Sequence, residues 1–152
     1  WGLVDDRGRV ILAPEYAAIA DGGRGHLGYR VGKYWGLADS LGQRITPPNY
    51  AQVYRGPEHW VLAQTDRWAL LDSAGNEIYG PALTKVHLCA THYAFADKGN
   101  TWGVLDRQGQ EIIPFRFAHI APIGDSLILA QKGTYYRWFD VSGELKNAHK
   151  IE

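Results

Sequence analysis

The sequence predicts an all-β protein made of tandem copies of a unit of about 34 residues, each a three-stranded meander, stacked in an open, twisted, solenoid-like array. Three observations predict it. A W-G-type motif returns at Trp1, Trp35, Trp68 and Trp102 and in degenerate form at Tyr136, with spacings of 34, 33, 34 and 34. Further columns stay in phase behind each motif. Eighteen glycines stand beside six Trp, nine Tyr and four Phe, a composition of short strands joined by tight turns. A small closed propeller-like ring is the alternative arrangement. A chain that opens at a W-G strand and runs past the fifth such strand favours the open array.

The elements follow in order. W-G-L-x-D alternates large apolar with small residues, the period of a half-buried strand, so Trp35, Leu37 and Asp39 share one face and Gly36 and Ala38 the other. A glycine beside a tryptophan marks a place where a ring or another backbone comes close. Asp5, Asp39, Asp72, Asp106 and Asp140 are each followed three residues later by Gly8, Gly42, Gly75, Gly109 and Gly143. That D-x-x-G spacing fits a turn in which the carboxylate accepts amide hydrogens and the glycine takes positive φ. Next comes the Ile strand (Ile11, Ile45, Ile78, Ile112), which the prolines Pro14, Pro48, Pro81 and Pro114 are expected to end, lacking an N–H for the ladder. The following connection carries Tyr16 and Ile19 and their counterparts three apart, a spacing suited to one helical turn. Upstream of each motif an apolar stretch and a polar turn, such as Lys98-Gly99-Asn100, predict a hairpin.

Length and composition bound the rest. The 152 residues fit one domain spanning 1–152, with four full repeats and a partial fifth from about 127. Sixteen basic residues balance sixteen acidic ones, which argues against nucleic acid as a partner. No apolar run approaches the roughly 18 residues that span a bilayer, so membrane insertion is not expected. Methionine is absent, which suggests a segment of a longer chain. Cys89 is the single cysteine, so no intramolecular disulfide is expected and the compartment stays open.

The pattern K-x-W-G-L-x-D-x-x-G-x-x-I-x-P-x-Y-x-x-I resembles the WG-repeat (KWG-repeat) family, most cleanly from Lys33 to Val53. Copy three departs from it with Ala69 for glycine, and copy five lacks the W-G pair. The resemblance implies a bacterial, repeat-built β module used as an accessory domain, without enzymatic activity or cofactor.

Candidate sites were weighed against structural roles. The five Asp positions are equivalent by repetition, so nothing separates their pKa values into acid and base, and they are assigned to turns. The Trp1, Trp35, Trp68 and Trp102 ladder is expected to be a buried stack, with a sugar-stacking platform as the rival reading. Trp138 occupies the column of Leu37 and is expected in the core. His87, Cys89 and His92 lack the second ligand pair that a zinc site wants, so no metal is expected. Gly22-Gly23-Arg24-Gly25 opens no helix and is assigned to a loop. What the repeat does not explain are the connections Asp21 to His26, Tyr54 to Trp60 and His87 to Tyr93. Within them Arg24, Tyr54, Arg55, His59, Trp60, His92 and Tyr93 are the candidate binding residues. The expected function is a non-catalytic interaction module with a protein partner, in an adaptor, immunity-type or targeting role. The alternative is a carbohydrate or cell-wall binding module using exposed aromatics.

Overall fold

The repeat register becomes a series of small antiparallel sheets. The computed structural model describes residues 1–23, 25–55, 60–64, 66–72, 74–88 and 93–150. No helix occurs among them, and none is long and apolar enough to cross a membrane. The chain divides into two compact units, Trp1–Pro81 and Ala82–Glu152.

In the first unit β1 (Leu3–Val4) pairs with β2 (Val10–Leu12). A second sheet has the order β3 (Ala18–Gly23), β4 (His26–Val31), β5 (Tyr34–Asp39). Its fourth place is taken by two isolated bridges, Trp35 to Tyr50 and Ala38 to Arg44. A third sheet runs β6 (Gln52–Arg55), β7 (Trp60–Gln64), β8 (Arg67–Leu71), β9 (Glu77–Leu83). The second unit holds β10 (Lys85–Leu88), β11 (Tyr93–Asp97), β12 (Trp102–Asp106), β13 (Glu111–Phe117) as one sheet. Its other sheet is β14 (His119–Ile123), β15 (Leu127–Lys132), β16 (Tyr135–Asp140), β17 (Leu145–Lys150).

The complete sheets therefore have four strands, not the expected three. The added strand is the connection after the proline, where Ile19, Val53, Val86 and Ile120 lie in β3, β6, β10 and β14. A single helical turn was expected there, but these β-branched residues begin the next meander and pair with its second strand. Proline does not always end the Ile strand. Pro81 lies inside β9 and Pro114 inside β13, both outer strands of their sheets, where a missing N–H costs no ladder bond on the open side.

The W-G strand is buried on both faces. Leu37 packs with Leu71, Ile45, Tyr50 and Val53, whereas Ala38 packs with Leu12, Tyr16 and Tyr29. Gly36 explains the small column: a Cβ there would lie 2.7 Å from Cζ of Tyr29, whose hydroxyl donates to the Thr46 carbonyl at 2.7 Å. In the second unit Val104, Ile113, Phe117 and Phe95 face Ile128, Ala130 and Phe139, with Phe117 and Phe139 edge to face at 5.7 Å.

The tryptophan ladder is not the core that was expected. Trp35, Trp68 and Trp102 are half-buried, as is Trp138, and Trp1 is 78% exposed. Leu37, Leu70 and Val104, two residues further along, are the fully buried ones. The indoles stand near the start of their strands, and the residues two places on are the ones that reach the packed centre.

Candidate functional site

In an antiparallel meander the connection from first to second strand and that from third to fourth lie at the same end of the sheet. The register confirms it: His26 pairs with Asp39, Tyr93 with Asp106, and Leu127 with Asp140. A Cβ on Gly25 would lie 3.7 Å from Ser40. One end of each sheet after β1–β2 thus carries a D-x-x-G turn beside a first hairpin.

The turns are alike in geometry. Oδ1 of Asp39 accepts from the N–H groups of Leu41 at 2.9 Å and Gln43 at 2.8 Å. Asp5, Asp72, Asp106 and Asp140 accept from the same relative positions. In all five the glycine N–H donates to the Asp carbonyl at 3.0 Å. Gly42 has φ 81°, and a Cβ there would also sit 2.0 Å from the Ile11 carbonyl oxygen of the preceding copy. The D-x-x-G glycine is therefore the joint between copies as well as a turn residue. Gly143 approaches the Ile112 carbonyl oxygen in the same way, whereas Gly75 lies against the side chains of Ile45 and Thr46.

These carboxylates have structural partners. The Arg9 N–H, together with the Arg9 side chain and the Arg7 N–H, holds Asp5 below the usual carboxylate range. Burial pushes Asp72 up, but hydrogen bonds from the Asn76 side chain and from the turn N–H groups outweigh it and leave the value lowered. The Ser142 hydroxyl and Lys146 ammonium hold Asp140 far down. All three shifts favour the charged turn acceptor.

The hairpins beside these turns are β3–β4, β6–β7, β10–β11 and β14–β15. They contain the three connections singled out from the sequence, and they place a fourth, Ile123 to Leu127, which sequence reasoning missed. Its signal was positional: it lies where the other three lie in the repeat. Of the candidate residues, Arg24, His59 and His92 fall outside the described residues. Arg55, Trp60 and Tyr93 are placed by their backbones in β6, β7 and β11. Tyr54 is 60% exposed and meets Trp68 edge-on at 5.5 Å.

That contact belongs to a series. Arg30 lies over the Trp35 ring at 5.6 Å, and His87 stacks on Trp102 at 5.6 Å with the planes 13° apart. The indoles of Trp35, Trp68 and Trp102 are thus each capped by a side chain of different chemistry. His87 is the described member of the His87, Cys89 and His92 group, the other two lying outside the described residues. The described residues contain no cluster able to hold a metal ion.

The pattern of the WG-containing repeat family matches residues 1–21 and 102–136. Among curated proteins none matches the chain significantly. Solved structures match the chain at low identity. Hsv2 of Kluyveromyces lactis is 13% identical, with a TM-score of 0.47 over 93% of this chain and 53% of its own. A eukaryotic initiation factor is 10% identical, with a TM-score of 0.48 over 99% of this chain and 50% of its own. The N-terminal domain of Nup159 is 10% identical, with a TM-score of 0.43 over 90% and 45%. The chain spans about half the length of these structures. The matched segments carry the same columns as the copies between them, and in those segments the chain is similar to the WG-containing repeat family.

Proposed function

We propose that residues 1–152 act as one non-catalytic interaction module that presents its first hairpins to a protein partner, in an adaptor, immunity-type or targeting role. One observation carries this reading. At the same end of each sheet the D-x-x-G turn keeps its geometry from copy to copy, while the neighbouring hairpin differs in every copy. A fixed frame with variable tips is how repeat proteins build binding surfaces. The tips supply Trp60, Tyr54, Tyr93, Arg24 and Arg55, residue types that anchor interfaces. The sheets are taken to succeed one another as an open array, with the closed ring as the alternative that small-angle scattering distinguishes.

The test compares capture of partners by the wild type with capture by Trp60→Ala and Arg55→Ala, each variant's melting curve being run alongside. The reading expects weaker capture at a stability changed by less than about 0.5 kcal/mol, as for ordinary surface sites. Unaltered capture in both variants, or loss explained by unfolding, would move the binding face elsewhere.

The carbohydrate reading draws support from the half-buried indoles and from the exposed Tyr34, Tyr54 and Tyr135. Titration with soluble cell-wall oligosaccharides, read by tryptophan fluorescence, separates the two. Quenching that Trp68→Leu abolishes would favour the sugar.

A further inference from the structure

Copy five breaks the repeat at one residue with a physical consequence. The position after the Trp column is Gly2, Gly36, Ala69 and Gly103 in the first four copies and Arg137 in the fifth. Where it is glycine the position has no room. A Cβ on Gly103 would meet the Ile113 carbonyl oxygen at 2.8 Å and the Phe115 ring at 2.9 Å. In β16 the position holds a half-buried guanidinium instead.

Its surroundings explain how. Arg137 pairs across the ladder with Ala130, and Tyr135 with Lys132. These four share a face with Ile128 and Phe139, the face that packs on Phe117 of β13. Where the packed sheets part, Lys132, Tyr135 and Arg137 from one side and Arg116 and Phe117 from the other line a recess of about 640 Å³. Small-molecule sites typically span about 300–1,000 Å³. Among the described residues none of the three cations is in an ion pair, whereas Lys98 pairs with Glu111, and Lys146 with Asp140 and Glu144. Phe117 is buried at the base of the recess, with the Arg116 guanidinium 5.5 Å from its ring centroid, and the half-exposed Tyr135 stands at the rim. The equivalent places in copy two are Val31, Tyr34 and Gly36, which carry no charge.

We propose that this recess binds a small phosphate-bearing ligand. Arg116, Lys132 and Arg137 hold the phosphate oxygens, and the flat or apolar part of the ligand lies against the exposed Tyr135 ring. Three positive charges around one recess leave an uncompensated field that an anion neutralises. Two of them are guanidinium groups, whose forked donors match phosphate oxygens in pairs. Arg137 is also half-buried, and a buried charge wants a counter-charge. The site lies in the Ala82–Glu152 unit and stands independently of the hairpin reading.

The test is calorimetric titration of the whole chain with pyrophosphate and adenosine diphosphate, with citrate and phosphatidylserine vesicles as comparison arms. Saturable binding of the soluble phosphates that weakens as salt rises is expected. Lys132→Gln and Arg116→Gln, both at exposed positions, should each lower the affinity about tenfold, as losing one charge-assisted hydrogen bond does, at an unchanged melting midpoint. Arg137→Gln should lose binding, and Arg137→Lys, which keeps the charge, should recover part of it, guarding against a variant that merely misfolds. Equal affinity in wild type and the two exposed variants would overturn the site. Citrate binding as tightly as pyrophosphate would overturn the phosphate assignment. Binding to vesicles without binding to soluble phosphates would overturn the small ligand in favour of a membrane surface.

Discussion

Single residues in this chain answer to two demands at once, and Gly42 shows both. It needs positive φ for the turn, and it needs empty space because the Ile11 carbonyl of the preceding copy occupies the place of a side chain. Gly32, in the β4–β5 hairpin, has φ 59° but nothing within 4 Å of its missing Cβ. Gly32→Ala should therefore cost about 1 kcal/mol, the left-handed penalty alone. Gly42→Ala should cost at least about 2 kcal/mol, because overpacking adds to it. Urea unfolding of both variants checks the gap, and equal losses would remove the joint from the account. The Asp column gives a pH prediction. Asp5, Asp72 and Asp140 have values lowered in the folded state, so their contribution is present above about pH 4, the ordinary carboxylate value. It is lost as pH falls through their folded values. The melting midpoint should drop on acidification below that point. Asp140→Asn, which keeps an acceptor for the Ser142 and Glu144 N–H groups, should flatten the acid limb.

At the level of the strand, the order of burial reverses the expectation drawn from residue size. Leu37→Ala should cost about 2–5 kcal/mol, as large-to-small changes at fully buried sites do. Trp35→Ala should cost less than Leu37→Ala despite the larger side chain, since the indole is half-buried and capped by Arg30. Thermal melts of the two variants rank them directly. A second strand-level prediction concerns the entry to β10. Asp97 is 4% exposed; its Oδ2 accepts from the Thr84 hydroxyl at 2.9 Å and its Oδ1 finds no partner among the described residues. Thr84→Val should strand the carboxylate and cost about 1–3 kcal/mol, measured by chemical denaturation. The turns, the W-G strand and the hairpins were legible in the sequence because each depends on neighbours within a few residues: Asp39 with Gly42, Gly99 with Asn100. The fourth strand was not. Ile19 and Tyr16 are as compatible with a helical turn as with a strand, and what decides is the hydrogen-bond edge offered by β4, a long-range fact. The position of the indoles was hidden for a related reason, since periodicity gives a face but not where along that face two sheets touch.

For the molecule as a whole, the candidate surface was partly legible. Contrast between repeating and non-repeating stretches found three of the four first hairpins, while the recess around Arg137 needed the packing of two sheets to become visible. Its one sequence trace was an arginine in a glycine column. Exchanging the hairpin at 54–60 for that at 123–127 should leave the melting midpoint within about 2 °C, because the frame is untouched, and should abolish partner capture. Survival of capture would assign recognition to the strands. The joint formed by Gly42 on Ile11, by Gly75 on Ile45 and by Gly143 on Ile112 also has a mechanical meaning. Each joint is asymmetric, a turn of the later copy seated on the isoleucine column of the earlier one, so the chain has a polarity under tension. Pulled from its ends in a single-molecule experiment, it should yield stepwise. Each ruptured joint should release one copy's worth of contour, about 11–12 nm for 33 or 34 residues of extended backbone, and produce a regular sawtooth of force.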